Sequence, residues 1–96
     1  MIFLMKPLLM FKLKYCGYCR RVEKYLEEIF ADKPHYRQIP LEIVDEAKEP
    51  ERSRQYDYYY VPTFFLGDEK VHEGAMDKLQ VEQVLEMAWQ SGQAQE

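Results

Sequence analysis

Ninety-six residues, 47% hydrophobic and 31% charged, make one domain's worth of ordinary globular chain, near the lower end of what a single core supports without staples. A net charge of −4 argues against nucleic acid as a partner, and Lys6-Pro7 and Lys12 break the apolar N-terminus, so no stretch is long enough to span a membrane. Two cysteines do not make a disulfide scaffold, and Met1 to Phe11 lacks a basic leader region and a small-residue cleavage site, so the expected compartment is the reducing cytoplasm.

Leu8-Leu9-Met10-Phe11-Lys12-Leu13 is an apolar run of strand length and reads as a buried central strand. From Cys16 to Ala31 the period becomes helical: Cys19, Val22, Leu26 and Ile29 share one stripe, Tyr25 and Phe30 widen it, and Pro34 ends it. Tyr36 to Val44 is expected as a second strand, with Ile39, Leu41 and Ile43 alternating against Gln38, Pro40 and Glu42, and Pro40 marking an edge. After a polar connection, Pro50 suits the first turn of a short helix, where its missing N–H does no harm.

Thr63-Phe64-Phe65-Leu66 is the third strand, and Gly67-Asp68-Glu69 turns it into a fourth, Lys70 to Glu73, which Gly74 breaks. Asp77 is the N-cap of a last helix whose apolar stripe is Val81, Val84, Leu85, Ala88 and Trp89, with Gly92 as its stop. The order β-α-β-α-β-β-α predicts a right-handed parallel crossover followed by a hairpin: an α/β fold with helices packed on a mixed four-stranded sheet. Residues 1–96 are expected to form this single domain, with about 91–96 as a frayed tail.

Cys16-Gly17-Tyr18-Cys19 stands where the first strand hands over to the helix. A thiolate is the nucleophile in disulfide exchange, and a free thiol with pKa about 8.5 is mostly protonated at neutral pH. A helix start aims unpaired N–H groups and the positive dipole end at the Cys16 sulfur, which favours the anion. Lys14 and Arg20 are candidates to add to that stabilisation. They belong to a basic group with Lys12, Arg21 and Lys24, in a first half (residues 1–48) that carries nine Lys/Arg against seven Asp/Glu.

Cys19, three residues on and on the buried stripe, is the candidate resolving thiol, kept protonated by desolvation. A zinc site needs four ligands, and His35 and His72 match no finger spacing, so no metal is expected. A purely structural disulfide closing so short a loop adds only about 2 kcal/mol in the chain-entropy model.

Three segments together, Cys16-Gly17-Tyr18-Cys19 after a strand, Glu49-Pro50-Glu51 before a short helix and Val61-Pro62-Thr63 opening a strand, resemble the thioredoxin superfamily over nearly the whole chain. The resemblance implies a thioredoxin-like fold and a cis bond before Pro62, which faces the cysteine pair. It implies that the backbone of Val61 pairs with substrate, with Tyr18 and Pro62 beside it. It also implies a thiol–disulfide oxidoreductase that reduces protein or small-molecule disulfides, recharged by a reductase or a thiol pool, acting as a monomer without a cofactor.

Within the superfamily the signals divide. Tyr18 resembles glutaredoxins and Gly17 thioredoxins. Leu13 stands where glutaredoxins carry a lysine, Tyr60 where they carry a threonine, and Glu73-Gly74-Ala75 where their glycine pair binds glutathione. Glu73 adds bulk and negative charge against that anionic tripeptide. The alternatives are a glutathione-dependent glutaredoxin, a [2Fe–2S] carrier of the kind Gly17 permits, and a non-catalytic binding module. The run Tyr56-Asp57-Tyr58-Tyr59-Tyr60 reads either as half-buried packing or as part of a docking face.

Overall fold

Leu8–Lys12 forms β1, and its apolar run Leu8 to Phe11 follows from its position between neighbours and between layers. The computed structural model describes residues 4–93. The sheet order is β2-β1-β3-β4, with β2 (Leu41–Asp45) parallel to β1, and β3 (Thr63–Leu66) antiparallel to both β1 and β4 (Glu69–Glu73). Strand side chains alternate faces, so Leu8 and Met10 enter the core on one side and Leu9 and Phe11 that on the other.

α1 (Gly17–Asp32) buries Cys19, Val22, Leu26 and Ile29, the stripe read from the sequence. Each of its fully covered aliphatic side chains contributes roughly 1.5–3 kcal/mol. α3 (Lys78–Ser91) packs on the same face through Val81, Val84, Leu85 and Ala88. It starts with a reciprocal capping box: Asp77 Oδ1 accepts from the Gln80 amide at 2.8 Å, and Gln80 Oε1 accepts from the Asp77 amide at 2.9 Å. α2 (Pro50–Ser53) is a single turn that opens on its proline and buries none of its side chains.

Two expectations change. Tyr36–Gln38 is not strand; Pro34–Gln38 is a 3₁₀ turn, and β2 begins only at Leu41. Pro34 fixes φ for a tight turn, the Tyr36 amide bonds back to the Lys33 carbonyl at 3.1 Å, and the Tyr36 ring turns into the core. The alternation Ile39-Leu41-Ile43 therefore straddles a turn and an edge strand. Ile39 is buried, while Ile43, beside Met10 at the outer edge of the sheet, stays 38% exposed. At the other end, α3 runs through Ser91, and Gly92 and Gln93 still bond back to it, so these residues of the expected frayed tail are held; residues 94–96 lie outside the described ones. Among the described residues no helix is long and apolar enough to cross a membrane.

Candidate active site

The turn after β1 closes with the Cys16 amide donating to the Leu13 carbonyl at 3.2 Å, which sets Cys16 in extended backbone as the N-cap of α1. Its side chain does the capping: Cys16 Sγ accepts from the Cys19 amide at 3.0 Å. Cys16 is partly exposed and Cys19 fully buried, and the two are joined as a disulfide across a Cα–Cα distance of 5.1 Å. One sulfur therefore faces outward at a helix start, and its partner sits on the stripe that faces the core.

The Val61–Pro62 bond is cis, and the Val61 carbonyl oxygen lies 3.7 Å from Cys16 Sγ. Residues 45 apart in sequence thus share one site. Pro62 is buried, its carbonyl accepting from the Gly74 amide at 2.8 Å, and Thr63 Oγ1 donates to the His72 carbonyl at 2.7 Å. Gly74 reaches that amide geometry with φ +96°, a conformation open to glycine. Among the described residues the Val61 N–H meets no protein acceptor.

The loop before Pro62 is held by Glu73. Glu73 accepts from the backbone amides of Tyr59 and Tyr60, the latter at 2.8 Å, and pairs with Lys70 Nζ at 2.7 Å. Lys70 also donates to the Asp57 carbonyl at 3.2 Å. Lys70 and the two amides hold the Glu73 carboxyl well below the usual range, at about 2. Read from sequence, Glu73 only obstructs glutathione; folded, it staples the loop that carries Val61. The hairpin register, which sets Glu73 opposite Thr63, is the one signal that could have placed it.

The other expected site residues separate. Tyr18 is 54% exposed with the Arg21 guanidinium 5.5 Å from its ring, and Lys14 Nζ lies 5.5 Å from the Tyr15 ring. The Arg20 guanidinium lies over Gly17, where a Cβ would meet it at 4.0 Å. Lys14 and Arg20 thus edge the site, while the direct donor to Cys16 Sγ is the Cys19 amide. His35 packs against Tyr36 and Trp89, and a ring nitrogen of His72 lies 3.1 Å from the Ala75 carbonyl, so neither is turned to Cys16.

Among the described residues no three His, Cys, Asp or Glu gather to hold a metal. A groove of about 410 Å³ opens beside Cys16, lined by Leu13, Tyr15 and Ala47 among others. A larger cavity of about 530 Å³, near Tyr56 and Lys70, contains neither cysteine.

The family model described as Thioredoxin matches residues 5–88. A thioredoxin-like protein from Clostridium perfringens, solved in solution, superposes with TM-score 0.64 at 25% identity, covering 96% of this chain and 78% of that one. Thioredoxin O2 from Arabidopsis thaliana in its oxidised state superposes with TM-score 0.55 at 21% identity, over 86% of this chain and 74% of that one, a likeness of fold alone. No curated protein sequence matches. The mixed sheet, the cis proline against a Cys-x-x-Cys pair and the extent of the family match lead to one conclusion: the chain belongs to the thioredoxin family.

Proposed function

We propose that this protein is a thiol–disulfide oxidoreductase that reduces disulfides of peptides or proteins in the cytoplasm. The carrying observation is the meeting of Cys16 Sγ with the Val61 carbonyl, 3.7 Å apart, at the start of α1. In the reduced protein the Cys19 amide and the helix start favour a Cys16 thiolate. That thiolate attacks one sulfur of the substrate disulfide; the Cys16–substrate bond forms, the substrate S–S bond breaks, and the leaving thiolate takes up a proton. Cys19 then loses its proton and attacks Cys16 Sγ. The Cys16–Cys19 disulfide forms and the second substrate thiolate departs.

The substrate has gained two electrons and the pair has lost them; Cys19 gives up one proton, and solvent, which took the Cys16 proton on ionisation, supplies the one that the second substrate thiolate takes up. A reductase or a thiol pool returns the electrons. The unpaired N–H and the carbonyl of Val61 offer an extended substrate segment a strand-like partner, with Pro62 and Tyr18 alongside. Lys14 and Arg20 raise the local positive potential, and the protein acts as a monomer without a resident cofactor.

Reduction of a peptide disulfide by the wild-type chain, with Cys16→Ser and Cys19→Ser, tests this directly. Cys16→Ser is expected to abolish turnover. Cys19→Ser is expected to stop after the first step and accumulate a mixed disulfide visible by mass. Full activity in both variants would refute the proposal.

A further inference from the structure

The groove beside Cys16 runs between the β1–α1 turn and the residues that follow β2. Leu13, Tyr15 and Ala47 give it apolar walls, and Lys14 and Lys48 stand on its two sides. Asp45, the acidic residue of the lining, is already engaged: its Oδ1 accepts from the Ala47 amide at 2.9 Å. Among the described residues neither lysine lies within 4.0 Å of a carboxylate, whereas Lys12 is paired with Glu23 and Arg52 with Glu42 and Glu49. Both are exposed. Lys14 and Lys48 against Asp45 leave the lining one positive charge in excess around an apolar floor, in a chain whose net charge is −4.

We propose that this groove is the subsite for the residues flanking the target cysteine, and that it selects an apolar side chain with an acidic neighbour. The substrate class is therefore an acidic peptide disulfide, an assignment that rests on the redox reading of Cys16. The apolar side chain lies against Leu13, Tyr15 and Ala47, and the carboxylate bridges toward Lys14 and Lys48. Because the rest of the chain is net acidic, an acidic segment is favoured locally at this groove while its distal parts are repelled. That sets one orientation of approach. Oxidised glutathione carries the charge without an apolar flank, and is the poorer substrate.

The test uses the full chain and three peptides that differ only in one residue beside a Leu-Cys disulfide: Glu, Gln or Lys. At low ionic strength kcat/KM is expected to fall in that order, with a Glu-to-Lys ratio of at least about threefold, the scale of one or two exposed ion pairs. The ratio should collapse toward one near 1 M salt, where the screening length is about 3 Å. Lys48→Glu is expected to invert the order, and Lys48→Gln to flatten it. A ratio taken within each variant removes any change in folding or in intrinsic activity.

Equal kcat/KM for the three peptides overturns the assignment, as does an order unmoved by Lys48→Glu, or oxidised glutathione turned over as fast as the acidic peptide. In each of those cases the oxidoreductase reading stands. No reduction of any peptide overturns that reading, and the groove assignment with it.

Discussion

One face of the sheet is covered by α1, α3 and the 3₁₀ turn, which bury a continuous cluster from Leu8 and Met10 through Leu26 to Leu85 and Ala88. The opposite face buries a smaller hydrophobic cluster, Leu9, Phe11, Val44 and Phe65, and among the described residues no long helix covers it. Two tyrosines of the loop before Pro62 close it instead. Tyr58 stacks on Phe11 at 5.0 Å between centroids, and Tyr56 lies 4.8 Å from Phe65. The helical face is a frame, and it positions Cys16 and Cys19 through α1. The aromatic face is an anchor: the segment that ends in Val61 and Pro62 is tied down by rings, which are also part of the smaller core. One half of the site therefore depends on global stability, the other on a few local contacts.

The largest contrast comes from cutting into each face. Leu85→Ala, at a fully buried position of α3, is expected to cost about 2–5 kcal/mol in urea unfolding, with peptide-disulfide turnover per folded molecule kept. Tyr58→Ala should cost less, about 1–3 kcal/mol, because the ring is only half-buried. Its signature is local: amide exchange at Tyr59, Tyr60 and Val61 accelerates and KM rises. If both variants lose stability alike and the loop amides of Tyr58→Ala exchange as in wild type, the frame-and-anchor distinction is wrong.

The two faces also differ in how far they can be read from residues alone. The frame is periodic. Cys19, Val22, Leu26 and Ile29 announce their helix by spacing, Asp77 announces a cap, and the Cys-Gly-Tyr-Cys run announces the chemistry at the helix start. The anchor has no period. Tyr56 and Tyr58 point into a small core while Tyr59 and Tyr60, 85% and 70% exposed, point out, and only the path of the loop decides which do which. The strand expected from Tyr36 failed for a related reason, since a proline-started turn places an aromatic inward without any alternation. The role of Glu73 needed the fold, because its partners, Tyr59 and Tyr60, are 14 and 13 residues away across a hairpin.

A smaller effect is expected from releasing the staple rather than the rings. Glu73→Gln keeps an acceptor but loses the charge that holds Lys70 and both loop amides. The fold should survive and kcat should hold, while KM for a peptide disulfide rises roughly twofold to fivefold, the scale of a screened, charge-assisted pair. Glu73→Asp should restore part of it. Because the carboxyl is held at about 2 rather than the ordinary 4.5, its contribution is fully present above 4.5 and lost as pH falls toward 2. The stability difference between wild type and Glu73→Gln should shrink through that window. A difference flat from pH 6 to pH 2 would mean that the pairing does not hold the loop.

The finest comparison uses two matched hydrogen bonds, one on each face. Tyr36 donates to Glu86 at 2.5 Å beneath α3, and Tyr58 donates to Glu46 at 2.7 Å on the aromatic face. Burial first, and then the carboxylate partner, pushes both phenols up, Tyr36 to about 12. A raised phenol pKa means that the folded protein keeps its proton longer than the unfolded chain. This stabilisation is intact below about pH 10 and is lost as pH rises through the raised folded values, about 12 for Tyr36. Tyr36 and Tyr58 should therefore each ionise above the ordinary phenol range when phenolate absorbance is followed on a timescale faster than unfolding. Tyr36→Phe and Tyr58→Phe should each remove one late step and cost about 1 kcal/mol near neutral pH. Only Tyr58→Phe should also speed amide exchange at Tyr59 to Val61, since only that hydroxyl ties the loop of Pro62 to the sheet. Equal exchange in the two variants would place the hold on that loop entirely in the rings and in Glu73.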